Sequence, residues 1–239
     1  MGDIIHLHSE DYYKRRGRQF YLSGIQSVTA SNNFEKARFY FTEALRFHPD
    51  NNEYRFYIGV TYFMNNQAKE SLPYLKSAYQ REPVHADYTH IYGMALYQLK
   101  RYEEAASVFE TNRENNPNHL NSLFYLGKIK ALEPATQNQA LACFDHILGM
   151  DSDHYDSLFE KGCIHLNQHH YNEAHDLFQQ TISIQPTYAV AYYYLSKTLL
   201  KQGRHDEAIR ILSALLEHCP NEKELVETNI NVINTLKDL

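Results

Sequence analysis

The sequence has no tryptophan, three cysteines and few helix-breaking residues, with nine glycines and seven prolines in 239 positions. Cys143, Cys163 and Cys219 form no paired motif, and their odd number argues against a disulfide framework. No apolar run approaches the ~18 residues that a membrane-spanning helix needs. We therefore expect reduced thiols, a cytoplasmic location and no direct insertion into a membrane.

An excess of positive charge is also missing. The formal net charge is −6, whereas proteins that bind nucleic acids usually carry a basic stripe. We therefore expect no nucleic acid partner.

Catalytic motifs are absent as well, since the chain has no GxSxG, P-loop, GxGxxG or HExxH pattern. Its 14 histidines include His165 and His169, four residues apart, with His170 and His175 nearby. Zinc needs a third or fourth ligand around the same point, and the sequence offers no clear one. We predict a non-catalytic protein without a metal or another cofactor.

What the chain does contain is a repeat of 34 residues. Pro49, Pro83 and Pro117 are spaced by this period, and so are Pro186 and Pro220. A small residue recurs in step with them, and a large apolar residue follows it four positions later. The small residues are Ala37, Ser71, Ala105, Ala140, Ala174 and Ala208, and the apolar ones are Phe41, Leu75, Phe109, Phe144, Phe178 and Leu212. Such a period indicates a repeat array, in which each unit buries its apolar face against its neighbours.

The period slips once, because Pro117 and Pro186 are 69 residues apart, one more than two periods. We place the extra residue in the turn-like stretch 133–139, where an insertion leaves both helical faces in register. The chain then divides into an N-terminal extension, partly helical, six units and a C-terminal capping helix. The extension covers 1–17, the units cover 18–51, 52–85, 86–119, 120–154, 155–188 and 189–222, and the capping helix covers 223–239.

Each unit is predicted to form two helices joined by a short turn, because its apolar residues recur at helical spacing. Proline ends the second helix, since it lacks an N–H and clashes with the preceding turn. A small residue lies within the first helix of five units. These residues are Gly59, Gly93, Gly127, Gly162 and Ser196. In the first unit Ile25 takes this position, and Asn32 with Glu35 fits a capping box for the second helix.

These residues carry a family resemblance. A small residue at position 8, an aromatic near 17, alanine at 20, Phe or Leu at 24 and proline at 32 together resemble the tetratricopeptide repeat. The stretches 102–109 and 171–178 fit the pattern closely, and the resemblance covers about 18–222. It implies an all-α, right-handed superhelical solenoid of six helix-turn-helix units with a C-terminal capping helix. In this family the first helices line a concave groove that binds proteins.

At the family's inward positions, this chain carries an apolar and aromatic stripe with two lysines. The predicted partner-binding residues are Phe56, His90, Met94, Phe124, Lys128, Phe159, Tyr193 and Lys197. In the first unit Leu22 and Gln26 take the matching positions. Exposed apolar stripes rimmed by polar groups mark binding sites, and a partner helix or extended segment with apolar anchors would suit this one. Aromatic residues at these positions can also pack between neighbouring helices, so both roles are open.

Two functions follow from the resemblance. The first is a protein–protein interaction scaffold or adaptor that binds a peptide or helix of a partner, as a member of a multiprotein complex. The alternative is a dedicated chaperone that holds an apolar segment of a client, as in bacterial secretion systems. Those chaperones usually have fewer units, which favours the adaptor.

Overall fold

The computed structural model describes the backbone of residues 2–237 and the side chains of residues 11–235. Within this part the chain forms helices and turns but no strand. The helices are α1 (Gly2–Ser31), α2 (Phe34–Phe47), α3 (Asn52–Met64), α4 (Ala68–Arg81), α5 (Ala86–Gln98), α6 (Tyr102–Asn115), α7 (Leu120–Ala131), α8 (Gln137–Met150), α9 (Tyr155–Asn167), α10 (Tyr171–Ile184), α11 (Ala189–Lys201), α12 (His205–His218) and α13 (Lys223–Lys237). The all-α repeat fold that the 34-residue period predicts is confirmed.

The chain divides into two compact structural units, each of which contains several of the 34-residue helical hairpins. The first unit is Met1–Leu126 and the second unit is Gly127–Leu239. In the first unit α1 pairs with α2, α3 with α4 and α5 with α6, while α2 packs on α3 and α4 packs on α5. In the second unit α9 pairs with α10 and α11 with α12, while α10 packs on α11 and α13 packs on α12. Within each unit, a hairpin therefore buries its apolar face against the next hairpin, as expected for a repeat array.

Small residues in the first helices allow the two helices of a hairpin to approach closely. A β-carbon added to Gly93 would lie 2.5 Å from Cε1 of Phe109, and one added to Gly162 would lie 2.6 Å from Cε1 of Phe178. Both distances are shorter than van der Waals contact. The small residue and the large apolar residue of the second helix therefore interlock, which explains why they recur together in the sequence.

The first hairpin corrects two expectations. Gly24, not Ile25, interlocks with the second helix, since a β-carbon on Gly24 would lie 2.6 Å from Cε1 of Phe41. Asn33, not Asn32, caps α2, and its side-chain oxygen accepts a backbone N–H of the first turn at 2.9 Å. Both corrections have one cause. The chain has one residue more between Gly24 and the cap of α2 than between Gly59 or Gly93 and the cap of the following helix, and α1 contains it by continuing to Ser31.

Backbone hydrogen bonds locate this extra residue. The N–H of Asn33 donates to the C=O of Ser27, six residues earlier, at 3.0 Å. In the third hairpin the N–H of Arg101 donates to the C=O of Leu96, five residues earlier, also at 3.0 Å. The fourth hairpin accommodates its own extra residue in a 3-10 turn over Pro134–Thr136, inside the predicted stretch 133–139.

The extra residue in α1 changes which side of this helix meets the second hairpin. Tyr21, Ile25 and Val28 are partly buried against Phe41 and its neighbours. Leu22 and Gln26, which the sequence places at the inward positions of the first repeat, are exposed. The inward positions of the first hairpin are therefore one residue earlier than the 34-residue period predicts.

Candidate functional site

The predicted groove residues of the first unit lie on three helices, α3, α5 and α7. Phe56 on α3 is buried, and its ring centroid lies 4.5 Å from that of Tyr88 and 5.5 Å from that of Tyr57. Met94 and Phe124 are half-buried. Phe56 therefore supports the packing of α3 on α5, whereas Met94 and Phe124 keep part of their surface accessible.

His90 on α5 belongs to a polar cluster. Its Nδ1 lies 3.0 Å from Oγ of Ser122, and its ring centroid lies 4.9 Å from that of His119. The side-chain amide of Asn112 donates to the same Oγ at 2.7 Å. Burial, and then the nearby His119, lower the pKa of His90 to about 4, although Asp87 acts in the opposite direction. His90 is therefore neutral at pH 7 and holds α5 against the start of α7.

In the second unit Phe159 on α9 is buried among aromatic rings. Its centroid lies 5.6 Å from that of Phe178, 5.3 Å from that of Tyr188 and 5.1 Å from that of Tyr194. These rings belong to the two hairpins formed by α9 to α12. Like Phe56, Phe159 packs below the surface, so its ring is not exposed to a partner.

The two predicted lysines differ in their surroundings. Nζ of Lys128 lies 3.2 Å from Oε1 of Glu160, so a carboxylate already neutralises this ammonium. Lys197 on α11 is exposed, and its Nζ lies 5.7 Å from the ring centroid of Tyr194. No ion pair with a carboxylate is found for Lys197 among the residues that the structure describes. The positive charge of Lys197 is therefore available to a partner.

Cys163 and Tyr193 complete this region of the second unit. Burial, and then Glu160, raise the pKa of the Cys163 thiol to about 12, so the thiol is neutral and a poor nucleophile at pH 7. The hydroxyl of Tyr193 donates to Oε2 of Glu222 at 3.1 Å. Tyr193 is half-buried, and burial followed by this hydrogen bond raises its pKa to about 12. Neither group suggests catalysis, and both offer hydrogen-bonding or apolar contact surface.

Two histidines at the end of α9 and in the turn after it come close together. Nδ1 of His165 lies 3.5 Å from Nδ1 of His170, whereas Nδ1 of His169 lies 2.9 Å from the hydroxyl oxygen of Tyr171. Across the described residues, no group of three or more His, Cys, Asp or Glu side chains is arranged to hold a metal ion. Likewise, none of the described helices is long and apolar enough to cross a membrane.

The sequence-based prediction does not include the side of α1 that faces α3. Ile25 and Val28 there line an apolar cavity together with Val60 and Met64 of α3. A signal was available, because Gly24 is 17 residues before Phe41 whereas Gly93 is 16 before Phe109.

Two family models match the chain. The model of the anaphase-promoting complex (cyclosome) subunit 3 matches residues 30–112, and a tetratricopeptide repeat model matches residues 165–227. Among curated proteins, the anaphase-promoting complex subunit 3 of Schizosaccharomyces pombe is 22% identical over 169 residues, which are 71% of this chain and 25% of that protein. The chain thus spans about a quarter of the length of the curated relative it matches.

Solved structures show the same fold. A structure of Pseudomonas aeruginosa PilF superposes with a TM-score of 0.74 at 18% identity, covering 92% of this chain and 99% of that one. A tetratricopeptide repeat protein from Parabacteroides merdae gives 0.72 at 16% identity, covering 92% and 93%. The hetero-tetramer of Cut9 and Hcn1 from the anaphase-promoting complex gives 0.70 at 16% identity, covering 97% and 44%. The interlocked small and apolar residues, the helical hairpins and these matches together show that the chain belongs to the tetratricopeptide repeat family.

Proposed function

We propose that this protein is a non-catalytic interaction scaffold that binds a segment of a partner protein on the inward faces of its first helices. The observation that carries the proposal is on α11. There Val190, Tyr193 and Lys197 follow the spacing i, i+3 and i+7, which places them on one face of the helix. Val190 and Lys197 are exposed, and Tyr193 is half-buried. A partner segment with one acidic and one apolar residue would fit this face. Its carboxylate would pair with Lys197, and its apolar side chain would cover the exposed apolar surface.

The predicted residues then divide into two roles. Phe56 and Phe159 are buried, so they shape the surface. Those with accessible surface would contact the partner; they are His90, Met94, Phe124, Lys128, Tyr193 and Lys197. An acidic group of the partner would have to share Lys128 with Glu160, or displace Glu160, because Oε1 of this carboxylate lies 3.2 Å from Nζ of the lysine. Lys197 is therefore the stronger candidate for contact with an acidic group.

The kind of partner is suggested by the family models and the relatives. The likeness to anaphase-promoting complex subunit 3 over 169 residues supports a role as one subunit of a larger protein assembly. Under this proposal, partners recovered with the protein are stable subunits in fixed proportion. Recovery of a single protein that is unstable alone would favour a chaperone for an apolar client segment instead.

The test is copurification from the native host with Lys197→Glu, and with Lys201→Glu as the matched control. Both lysines are exposed and lie on α11 one turn apart. Reversing the charge at Lys197 should weaken partner recovery, most clearly at low salt, because exposed charges act mainly on encounter. Equal recovery with both variants, at unchanged helix content, would contradict the assignment of Lys197 to the binding surface.

A further inference from the structure

An apolar cavity of about 190 Å³ lies in the first unit, between the first hairpin and α3. Its lining includes Ile25 and Val28 from α1, Phe34 from the start of α2, and Val60 and Met64 from α3. Ile25 and Val28 lie on this side of α1 because the extra residue in α1 shifts the inward positions of the helix by one residue. The register of the first hairpin therefore decides which residues of α1 line the cavity.

The surface that the cavity presents is apolar. Its two threonines, Thr29 and Thr61, donate their hydroxyls to carbonyls of their own helices, at 3.1 Å to Ile25 and 2.7 Å to Ile58. The third hydroxyl of the lining, that of Tyr57, shares a hydrogen bond with Tyr21. A buried water needs two to four polar partners, and cavities without them stay dry and bind apolar molecules. An occupant must therefore present apolar atoms alone to this cavity.

Size and access limit the occupant further. A dry cavity of roughly 150 Å³ is large enough to hold benzene, so about 190 Å³ accommodates one leucine or phenylalanine side chain. Met64 is 53% exposed although it lines the cavity, which places it at the opening. A methionine there can adapt to different apolar groups, because its side chain is unbranched and flexible.

The charge around the opening indicates the rest of the occupant. The turns beside Phe34 and Met64 contain only neutral side chains, namely Asn32, Asn33, Asn65, Asn66 and Gln67. The first turns of the next helices add Glu35, Lys36, Lys69 and Glu70, whose formal charges cancel. A charged partner segment would find no excess of opposite charge here, whereas amide side chains can bond to the backbone of a neutral, extended one.

We propose that this cavity binds one leucine or phenylalanine side chain of an uncharged segment of a partner protein. The inference rests on the proposed function, because it names an anchor point for a partner on the first helices. It adds a site in the first unit that is separate from Lys197 and that recognises apolar volume and not charge.

The test uses the full chain and peptides of the form Gly-Ser-Asn-X-Asn-Ser-Gly with blocked ends, where X is Leu, Phe, Ala or Glu. Methyl NMR should show shifts at Ile25, Val60 and Met64 with Leu and Phe. Binding with Ala should be at least about tenfold weaker, because several methyl-sized groups are missing from an apolar pocket. The Glu peptide should give no shift.

Two variants separate the cavity from the rest of the surface. Val60→Phe should fill the cavity and abolish binding of the Leu peptide. If that variant does not fold, Met64→Glu places a charge at the opening and should weaken binding by at least about tenfold. Val84→Glu is the matched control, because Val84 is 60% exposed in the same unit and does not line the cavity. Its binding should equal that of the unaltered protein.

Three outcomes would overturn the proposal. They are equal binding of the Leu and Ala peptides, shifts confined to residues outside the lining, or unaltered binding in both cavity variants. Methyl shifts that depend on protein concentration without peptide would instead assign the cavity to a second copy of the chain. Each outcome is independent of partner recovery with Lys197→Glu, so failure here and failure of the proposed function are distinguishable.

Discussion

Gly24 lies directly against the ring of Phe41, where an added β-carbon would be 2.6 Å from Cε1. Equivalent pairs hold the other hairpins together, such as Gly59 with Leu75, where the distance would be 2.7 Å. In the first hairpin the two partners are 17 residues apart, against 16 in the second. The helix contact is thus preserved, and α1 contains the additional residue by continuing to Ser31.

Gly24→Ala should therefore destabilise the protein. The added methyl group overpacks the contact with Phe41, which typically costs about 1–3 kcal/mol. Helix propensity offsets about 1 kcal/mol of this cost. We expect a lower free energy of unfolding in urea.

Gly149→Ala is the matched control for this substitution. Gly149 also lies in a helix, but a β-carbon there would meet nothing within 4 Å. Alanine should stabilise the protein at this position by roughly 0.5–1 kcal/mol. If both substitutions changed stability in the same direction, the contact between Gly24 and Phe41 would not be a determinant of stability.

The fold could be predicted from the sequence because the contact between small and apolar residues repeats at a fixed distance. The register of the first hairpin could not, because the 34-residue period from Pro49 points to Ile25 and only the helix contact selects Gly24. The burial of Phe56 and Phe159 also depends on rings from neighbouring helices, such as Tyr88 and Tyr188. The family pattern predicts which residues face inward, but it does not predict how much of their surface such rings cover.

Lys100 has a left-handed backbone conformation, with φ of 59°, in the turn between α5 and α6. The equivalent residue in the turn between α11 and α12 is Gly203, with φ of 75°. A residue with a β-carbon pays about 1–2 kcal/mol for this conformation, and glycine is preferred at such helix ends. Lys100→Gly should therefore raise the free energy of unfolding by up to about 1 kcal/mol, and thermal denaturation checks this. A lower melting temperature for the variant would contradict the prediction.

His90 should make stability depend on pH. Its pKa is about 4 in the folded protein, against about 6.5 in an unfolded chain. The unfolded state therefore binds the proton more readily, and stability that is present above pH 6.5 is lost as pH falls towards 4. For a group this buried the loss could reach about 3 kcal/mol. Urea denaturation of the protein and of His90→Gln from pH 7 to pH 4 tests this, since the variant should show a shallower decline. Parallel curves would show that His90 does not contribute.

Phe109 is the fully buried partner of Gly93 in the third hairpin. Its ring lies 6.1 Å from those of His90 and Tyr125, so it joins α6 to both α5 and α7. Phe109→Ala should cost about 3–5 kcal/mol, the usual effect of emptying a buried aromatic site. Because repeat arrays are coupled between neighbours, hydrogen exchange should increase first in α5 and α6. Unchanged protection in both helices would contradict this packing.

The last helix, α13, should be needed to cover the hairpin formed by α11 and α12. Ile233 is 2% exposed and belongs to the core of the second unit, whereas the adjacent Val232 is 55% exposed. Ile233→Glu should cost at least about 2 kcal/mol, the loss from removing a buried side chain of this size, and it also places a charge in an apolar contact. We expect α13 to detach first, which would expose Leu212 and Leu215 and cause self-association. Sedimentation should detect the self-association, and faster hydrogen exchange in α12 and α13 should report the detachment. Val232→Glu is the matched control, because it introduces the same negative charge at the adjacent exposed position. It should leave both measurements unaltered. If the two variants behaved alike, α13 would not act as a cap, and deletion of 223–239 should then leave a monomer of unchanged thermal stability.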